Sequence, residues 1–272
     1  MIVPGVTRGH PLQTGARLCY GPAMRPAPRR AQVHDPTVYP VEEKVGEDTL
    51  QRLIVELLRP LVERWLAQRG VQALVGADQF IYWKQFDPHQ RVAPDVYVLP
   101  GVPPGTYVSA WKTWESGIVP SFCFEVVSTD WRKDYAEALP RYEALGVIEL
   151  VVFDPRFAER SDGRRWQVYR RLGRRGFVRV EATNADRVRS KVLGCWLRAV
   201  GDERAVRVRL ATGARGDDLV PTPEEAEEAE RIAREAERAA KETERAAKEA
   251  ALARVRELEA ILARTSPRPR RR

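Results

Sequence analysis

R-V-A-P-D-V-Y-V-L-P (91–100) is followed downstream by S-F-C-F-E-V-V-S (121–128), so that two acids, Asp95 and Glu125, stand thirty residues apart, each inside a run of strand-forming apolar residues. A carboxylate in such a run is costly unless a cation or a hydrogen bond compensates it. Strand alternation sets Phe122, Phe124 and Val126 on one side and Cys123, Glu125 and Val127 on the other. If the strand that begins at Asp95 neighbours the Glu125 strand, both carboxylates reach one point. Convergent carboxylates, with a cationic group near the scissile phosphate, are what metal-dependent phosphodiester hydrolysis requires. Each acid also has an ordinary reading: Asp95 as a turn aspartate after proline, Glu125 as a strand acid paired with an arginine.

Working outward, S-T-D-W-R-K-D-Y-A-E-A-L-P-R-Y-E-A-L-G-V (128–147) supplies Lys133, Asp134, Arg141 and Tyr142 directly after the Glu125 strand. Pro140 predicts a break, with a first turn near 131–138 and a short helix starting at Pro140 and closed by Gly146. Arg141 then lies near that helix's N-terminus, where donors face anions. Upstream, L-Q-R-L-I-V-E-L-L-R-P-L-V-E-R-W-L (50–66) has apolar residues at helical spacing, with Asp48 or Thr49 as cap, Glu47 as a third acid at the first turn, and Pro60 as a kink or a division. Strand-like runs at 79–84, 95–99, 122–127, 149–154, 166–170 and 177–181 complete an α/β or α+β layered domain over 41–215.

The 272 residues carry a net charge of +8, but most of the excess sits in the basic first forty residues and in the arginines of the last seven. The intervening chain is near neutral, so the charge argues only weakly for a basic nucleic-acid groove, although basic tails raise nonspecific affinity. Residues 1–40 and 266–272 read as disordered, and Met24 offers an alternative start. The three cysteines lack C-x-x-C spacing, so neither a disulfide framework nor a zinc site is indicated, and a reducing cytoplasm fits best. No apolar run approaches a membrane span, and the N-terminus lacks the apolar core of a signal peptide. Without G-x-x-x-x-G-K-[ST], nucleotide hydrolysis is not indicated. Histidines at 10, 34 and 89 only leave little room for histidine chemistry, and His89 reads as a loop residue.

After Pro221 and Pro223, residues 224–264 are almost entirely Ala, Glu, Arg and Lys, the composition of a long helix or coiled coil within a 216–265 segment. A heptad stripe runs through Ala229, Ile232, Ala236, Ala239, Thr243, Ala246, Ala250 and Ala253, while Leu258, Ile261 and Leu262 fall in a shifted register. Alanine buries little area, so two outcomes stay open. One is homo-oligomerisation through 224–264; the other is a single exposed helix held by pairs such as Glu237 with Lys241 and Glu244 with Lys248.

At these residues the chain resembles the Uma-two family, a bacterial branch of the PD-(D/E)XK nuclease superfamily. The resemblance is carried by G-E-D-T-L-Q-R-L-I-V-E-L-L, R-V-A-P-D-V-Y-V, W-E-S-G-I-V-P-S-F-C-F-E-V-V-S and D-Y-A-E-A-L-P-R-Y-E-A-L-G-V-I-E-L-V-V-F-D-P, and continues through V-L-G-C-W-L-R and L-V-P-T-P-E-E into the Ala/Glu/Arg helix. It implies a restriction-endonuclease-like core, a mixed central sheet flanked by helices. It also implies Mg²⁺- or Mn²⁺-dependent cleavage of DNA, with Asp95 and Glu125 as metal ligands and Glu47 assisting. The superfamily lysine is expected two residues after Glu125, where this chain has Val127. Relocated onto the next helix, it falls on Ala138 or Arg141, so arginine stands where lysine is expected. Arginine stabilises phosphate but cannot act as a base; Lys133 or Lys84 could replace it. A rival expectation is a catalytically inactive nuclease fold serving as a binding or assembly module.

Overall fold

The apolar spacing of 50–66 builds the first element of the computed structural model, which describes residues 34–41, 49–128, 131–202 and 205–265, without the side chains of 131–137 and 263–265. Helix α1 (Thr49–Gln68) buries Ile54, Val55, Leu58, Leu61, Val62, Trp65 and Leu66. It runs through Pro60 undivided: an interior proline costs about 3 kcal/mol, and burial of Leu58, Leu61 and Val62 around it offsets this at about 1.5–3 kcal/mol each.

A six-stranded mixed sheet follows: β1 (Ala73–Gly76), β4 (Val96–Pro100), β6 (Phe122–Val126), β7 (Glu149–Phe153), β8 (Trp166–Arg171) and β9 (Phe177–Thr183), in the order β1-β4-β6-β7-β8-β9. Its one parallel pair, β6 with β7, is joined by helix α3 (Trp131–Leu145), since parallel neighbours need a crossover. Strands β2 (Phe80–Tyr82), β3 (Arg91–Val92) and β5 (Ala110–Lys112), the last leading into the single turn α2 (Thr113–Ser116), form a small second sheet. Strands β10 (Arg187–Ser190), β11 (Cys195–Val200), β12 (Arg207–Thr212) and β13 (Asp218–Leu219) form an antiparallel third.

Alternation divides the central sheet between two cores. Val96, Val98, Phe122, Phe124, Val126, Val151 and Phe153 pack with α1 and with Leu197, Val208 and Leu210 of the third sheet. Tyr97, Leu99, Cys123 and Leu150 pack with Tyr142 and Leu145 of α3. This is the layered α/β arrangement expected, a mixed sheet flanked by helices. Strands β1, β3, β5 and β10–β13 were not anticipated; most are short, and the third sheet, though paired between chain neighbours, is buried only by packing with α1. Helix α3 also differs from expectation, continuing through Pro140 because Tyr142 and Leu145 on its last turns are fully packed.

Glu149 ties the central and third sheets together. Wholly buried, it accepts hydrogen bonds from Arg170 Nε at 2.5 Å, Lys191 N at 3.0 Å and the Ser190 hydroxyl. Glu149→Gln keeps the shape but leaves Arg170 without its counter-charge, so chemical denaturation should show a loss of about 2 kcal/mol.

Residues 34–40, placed by expectation in a disordered tail, are fastened to the small sheet. Tyr39 packs edge-on against Tyr82 with centroids 5.0 Å apart, donates to Asp35 and accepts from Phe86 N, and the Tyr82 hydroxyl donates to Pro40 O at 2.5 Å. Residues 1–33 and 266–272 lie outside the described residues.

The chain divides into two compact units, Met1–Val220 and Pro221–Arg272. The second is helix α4 (Pro223–Thr265), opened by a reciprocal capping box: Glu225 N donates to the Thr222 hydroxyl at 3.1 Å and Thr222 N donates to Glu225 at 2.9 Å. The Glu237–Lys241 pair forms at 2.6 Å, and Arg231, Arg234, Arg245 and Arg254 make similar pairs; Glu244 with Lys248 is not among them. No helix among the described residues is long and apolar enough to cross a membrane.

Candidate active site

Register decides where the acids meet. Strand β4 pairs antiparallel with β6 through Val96↔Phe124 and Tyr97↔Cys123, so one step further Asp95 stands opposite Glu125. Both share the parity of Tyr97 and Cys123, the residues facing α3. Two residues thirty apart in sequence are thus neighbours at one end of the sheet.

Asp95 is almost wholly buried and doubly held. Its Oδ1 accepts from Gln51 Nε2 of α1 at 2.6 Å, and its Oδ2 accepts from Val126 N of β6 at 2.6 Å. Burial pushes its carboxyl up to about 7, against the lowering effect of those two donors and with the charge of Asp78 adding to the rise. Glu125, half-buried, accepts a hydrogen bond from the Tyr142 hydroxyl of α3. Burial, then the charge of Glu125, holds Tyr142 well above the usual phenol range, so it stays a donor. Burial likewise raises the Cys123 thiol, which leaves no thiolate nucleophile beside the acids.

Asp78 belongs to the same row. The pairing Gly76↔Tyr97 between β1 and β4, continued two residues, aligns Asp78 with Asp95, and Asp78 N donates to Pro94 O at 2.9 Å. Asp78 has a left-handed backbone, φ 62°. Its charge acts on Asp95, and among the described residues no group of three or more His, Cys, Asp or Glu side chains is placed to hold a metal ion. At the same end of the sheet, Arg160 pairs with the buried Asp154 and donates to Ser128 O at 3.1 Å.

The other expected site residues are more scattered. Glu47 lies outside the described residues, as does the side chain of Lys133. Arg141 is exposed, one residue and hence about 100° round the helix from Tyr142, and pairs with neither acid among the described residues. Val127 is 3% exposed, a core residue where a lysine was expected. Ala138 is half-buried and packs against the cluster that contains Tyr142 and Cys123. Lys84 is engaged with Asp87 at 3.3 Å, and His89 sits in that same loop. Sequence reasoning missed the roles of Gln51, Asp78 and Tyr142. Tyr142, one helical turn after Ala138, carried the only available signal: a polar group on the face of α3 that packs on the sheet.

A carboxyl that holds its proton to about pH 7 in the fold but titrates near 3.8 when unfolded makes stability depend on pH. Below both values the contribution is fully present. As pH rises from about 4 to about 7 the unfolded state ionises first, and stability falls by on the order of a few kcal/mol. Denaturant titrations of the metal-free protein across that range should show the decline.

No curated protein matches the chain. Among solved structures it is similar to "a putative nuclease belonging to DUF820 from Anabaena variabilis", with 12% identity and a TM-score of 0.41 over 56% of this chain and 78% of that one. Residues 26–200 match the Uma2 family, described as "Putative restriction endonuclease", and on that match, which spans most of the chain and contains the acid pair, this protein belongs to the Uma2 family.

Proposed function

We propose that this chain is a metal-dependent DNA endonuclease in which Asp95 and Glu125 hold a Mg²⁺ or Mn²⁺ ion. The observation that carries the reading is the acid pair itself, Asp95 at the start of β4 opposite Glu125 of β6, with Asp95 raised by burial to about 7. Neighbouring carboxylates of this kind are stable only with a proton or a cation between them. Their hard oxygen donors suit Mg²⁺ or Mn²⁺. When bound, a divalent cation supplies a Lewis acid for the phosphate and a water acidic enough to attack near neutral pH.

The chain's own groups do the rest. Gln51 and Val126 N fix the Asp95 carboxyl, and Tyr142 fixes that of Glu125, so the negative charge is presented in a set direction. Glu47 is the proposed third acid. Arg141 and Lys133 are the proposed cationic partners of the scissile phosphate; the exposed guanidinium of Arg141 offsets developing charge but cannot take a proton.

A second reading is favoured by one observation: two of the three positions where a lysine was expected, Val127 and Ala138, are apolar and packed. On that reading the fold is an inactive binding module. Two measurements separate the readings, nicking of supercoiled plasmid with Mg²⁺ or Mn²⁺ and direct titration with Mn²⁺ alone. Nicking that is abolished by chelation, together with saturable Mn²⁺ binding, is expected. Binding without nicking selects the inactive module, and absence of both removes the metal site.

A further inference from the structure

Every residue of α4 from Glu227 to Leu262 is exposed. Most of that surface is Ala and charge, but the last turns carry Leu252 (51% exposed), Val255 (51%), Leu258 (45%), Ile261 (49%) and Leu262 (65%). Elsewhere among the helix's described residues, Ile232 is the only large apolar side chain so exposed. Five such residues within eleven are a concentrated patch on a helix that the upstream charge pairs already support.

The patch has a heptad register of its own. With Val255 and Leu262 at a, Ala251 and Leu258 fall at d, Leu252 and Glu259 at e, and Arg254 and Ile261 at g. At 100° per residue this seam lies roughly 140° round the helix from the upstream Ala stripe, so one straight partner cannot follow both. The large side chains choose the second seam. A β-branched residue at a with Leu at d favours two parallel strands.

Charge identifies the occupant. Arg254 and Glu259 are five residues apart, which puts them on different sides of a single helix, unable to pair within it. Arg254 instead pairs at 2.5 Å with Glu257, and Glu259 forms no ion pair among the described residues. In a parallel, in-register dimer, Arg254 at g meets Glu259 at e of the other strand, twice by symmetry. An antiparallel pairing would set Arg254 against Ile261 and Glu259 against Leu252. We propose that residues 251–262 form a parallel, in-register two-stranded coiled coil with a second copy of this chain.

Light scattering and sedimentation of the full chain test this. A concentration-dependent dimer is expected, with Glu259→Arg raising its dissociation constant about tenfold and Arg254→Glu/Glu259→Arg restoring it. Leu258→Cys should form a disulfide between equivalent residues under mild oxidation, as an in-register d position requires. These substitutions lie on the exposed helix and leave the first unit's thermal transition in place. A monomer at all concentrations up to about 100 µM overturns the proposal. So does a dimer indifferent to Glu259→Arg, a charge swap that fails to restore it, or a Leu258→Cys chain that does not cross-link.

Discussion

Asp95→Asn/Glu125→Gln should abolish metal-dependent nicking, by at least about a thousandfold, while leaving the fold intact. Both substitutions keep shape and remove charge. The asparagine that replaces Asp95 can be satisfied in place: its oxygen accepts from Val126 N, and its amide donates to Gln51, which only has to flip its own amide. Because the native carboxyl is raised to about 7, the asparagine mimics the protonated form, and the variant should be more stable than the wild type above neutral pH when metal is absent. Loss of cleavage and of Mn²⁺ binding, with a raised unfolding midpoint at alkaline pH, is the combined signature. Cleavage that persists undiminished in this variant would sink the site assignment.

Ala138→Lys is the second large effect, and it is a gain. Ala138 precedes Tyr142 by one turn on the same face of α3, and Tyr142 touches Glu125. A lysine there, half-buried, can run its stem along the cluster and carry its ammonium toward the acid pair and the phosphate bound to it. Nicking should rise on the order of ten- to a hundredfold, with the charge acting where it develops in the transition state. The added side chain costs about 1–3 kcal/mol of packing at most, since the position is only half-buried. Arg141→Lys, by contrast, keeps the positive charge at an exposed position and should alter nicking only slightly. If Ala138→Lys leaves a Mn²⁺-binding but inactive protein inactive, the missing lysine is not what limits it.

How much of this was legible in advance follows the range of the interactions involved. The helical stripe of α1 and the alternation through Phe122–Val126 are local patterns, visible because a helix or strand must bury one face whatever it packs against. The third sheet was not visible. Its strands are short, with Arg at alternate positions such as Arg187, Arg189, Arg207 and Arg209, and they are stable only through pairing with each other and packing on α1. Neither a division at Pro60 nor the break expected at Pro140 occurs, for the same reason: packing on either side outweighs a local preference.

Sequence by itself determined that one acid sits in a strand and the other at the start of one, that a helix joins the Glu125 strand to the next, and that lysine is absent from its expected place. Only the tertiary structure decided that Asp95 and Glu125 face each other in one row, that Asp78 adds its charge, and that Gln51 and Tyr142 hold the pair. The physical reason is register. Hydrogen-bond pairing between β4 and β6 is a cooperative property of the whole sheet, and one residue's slip would turn either carboxylate to the opposite core.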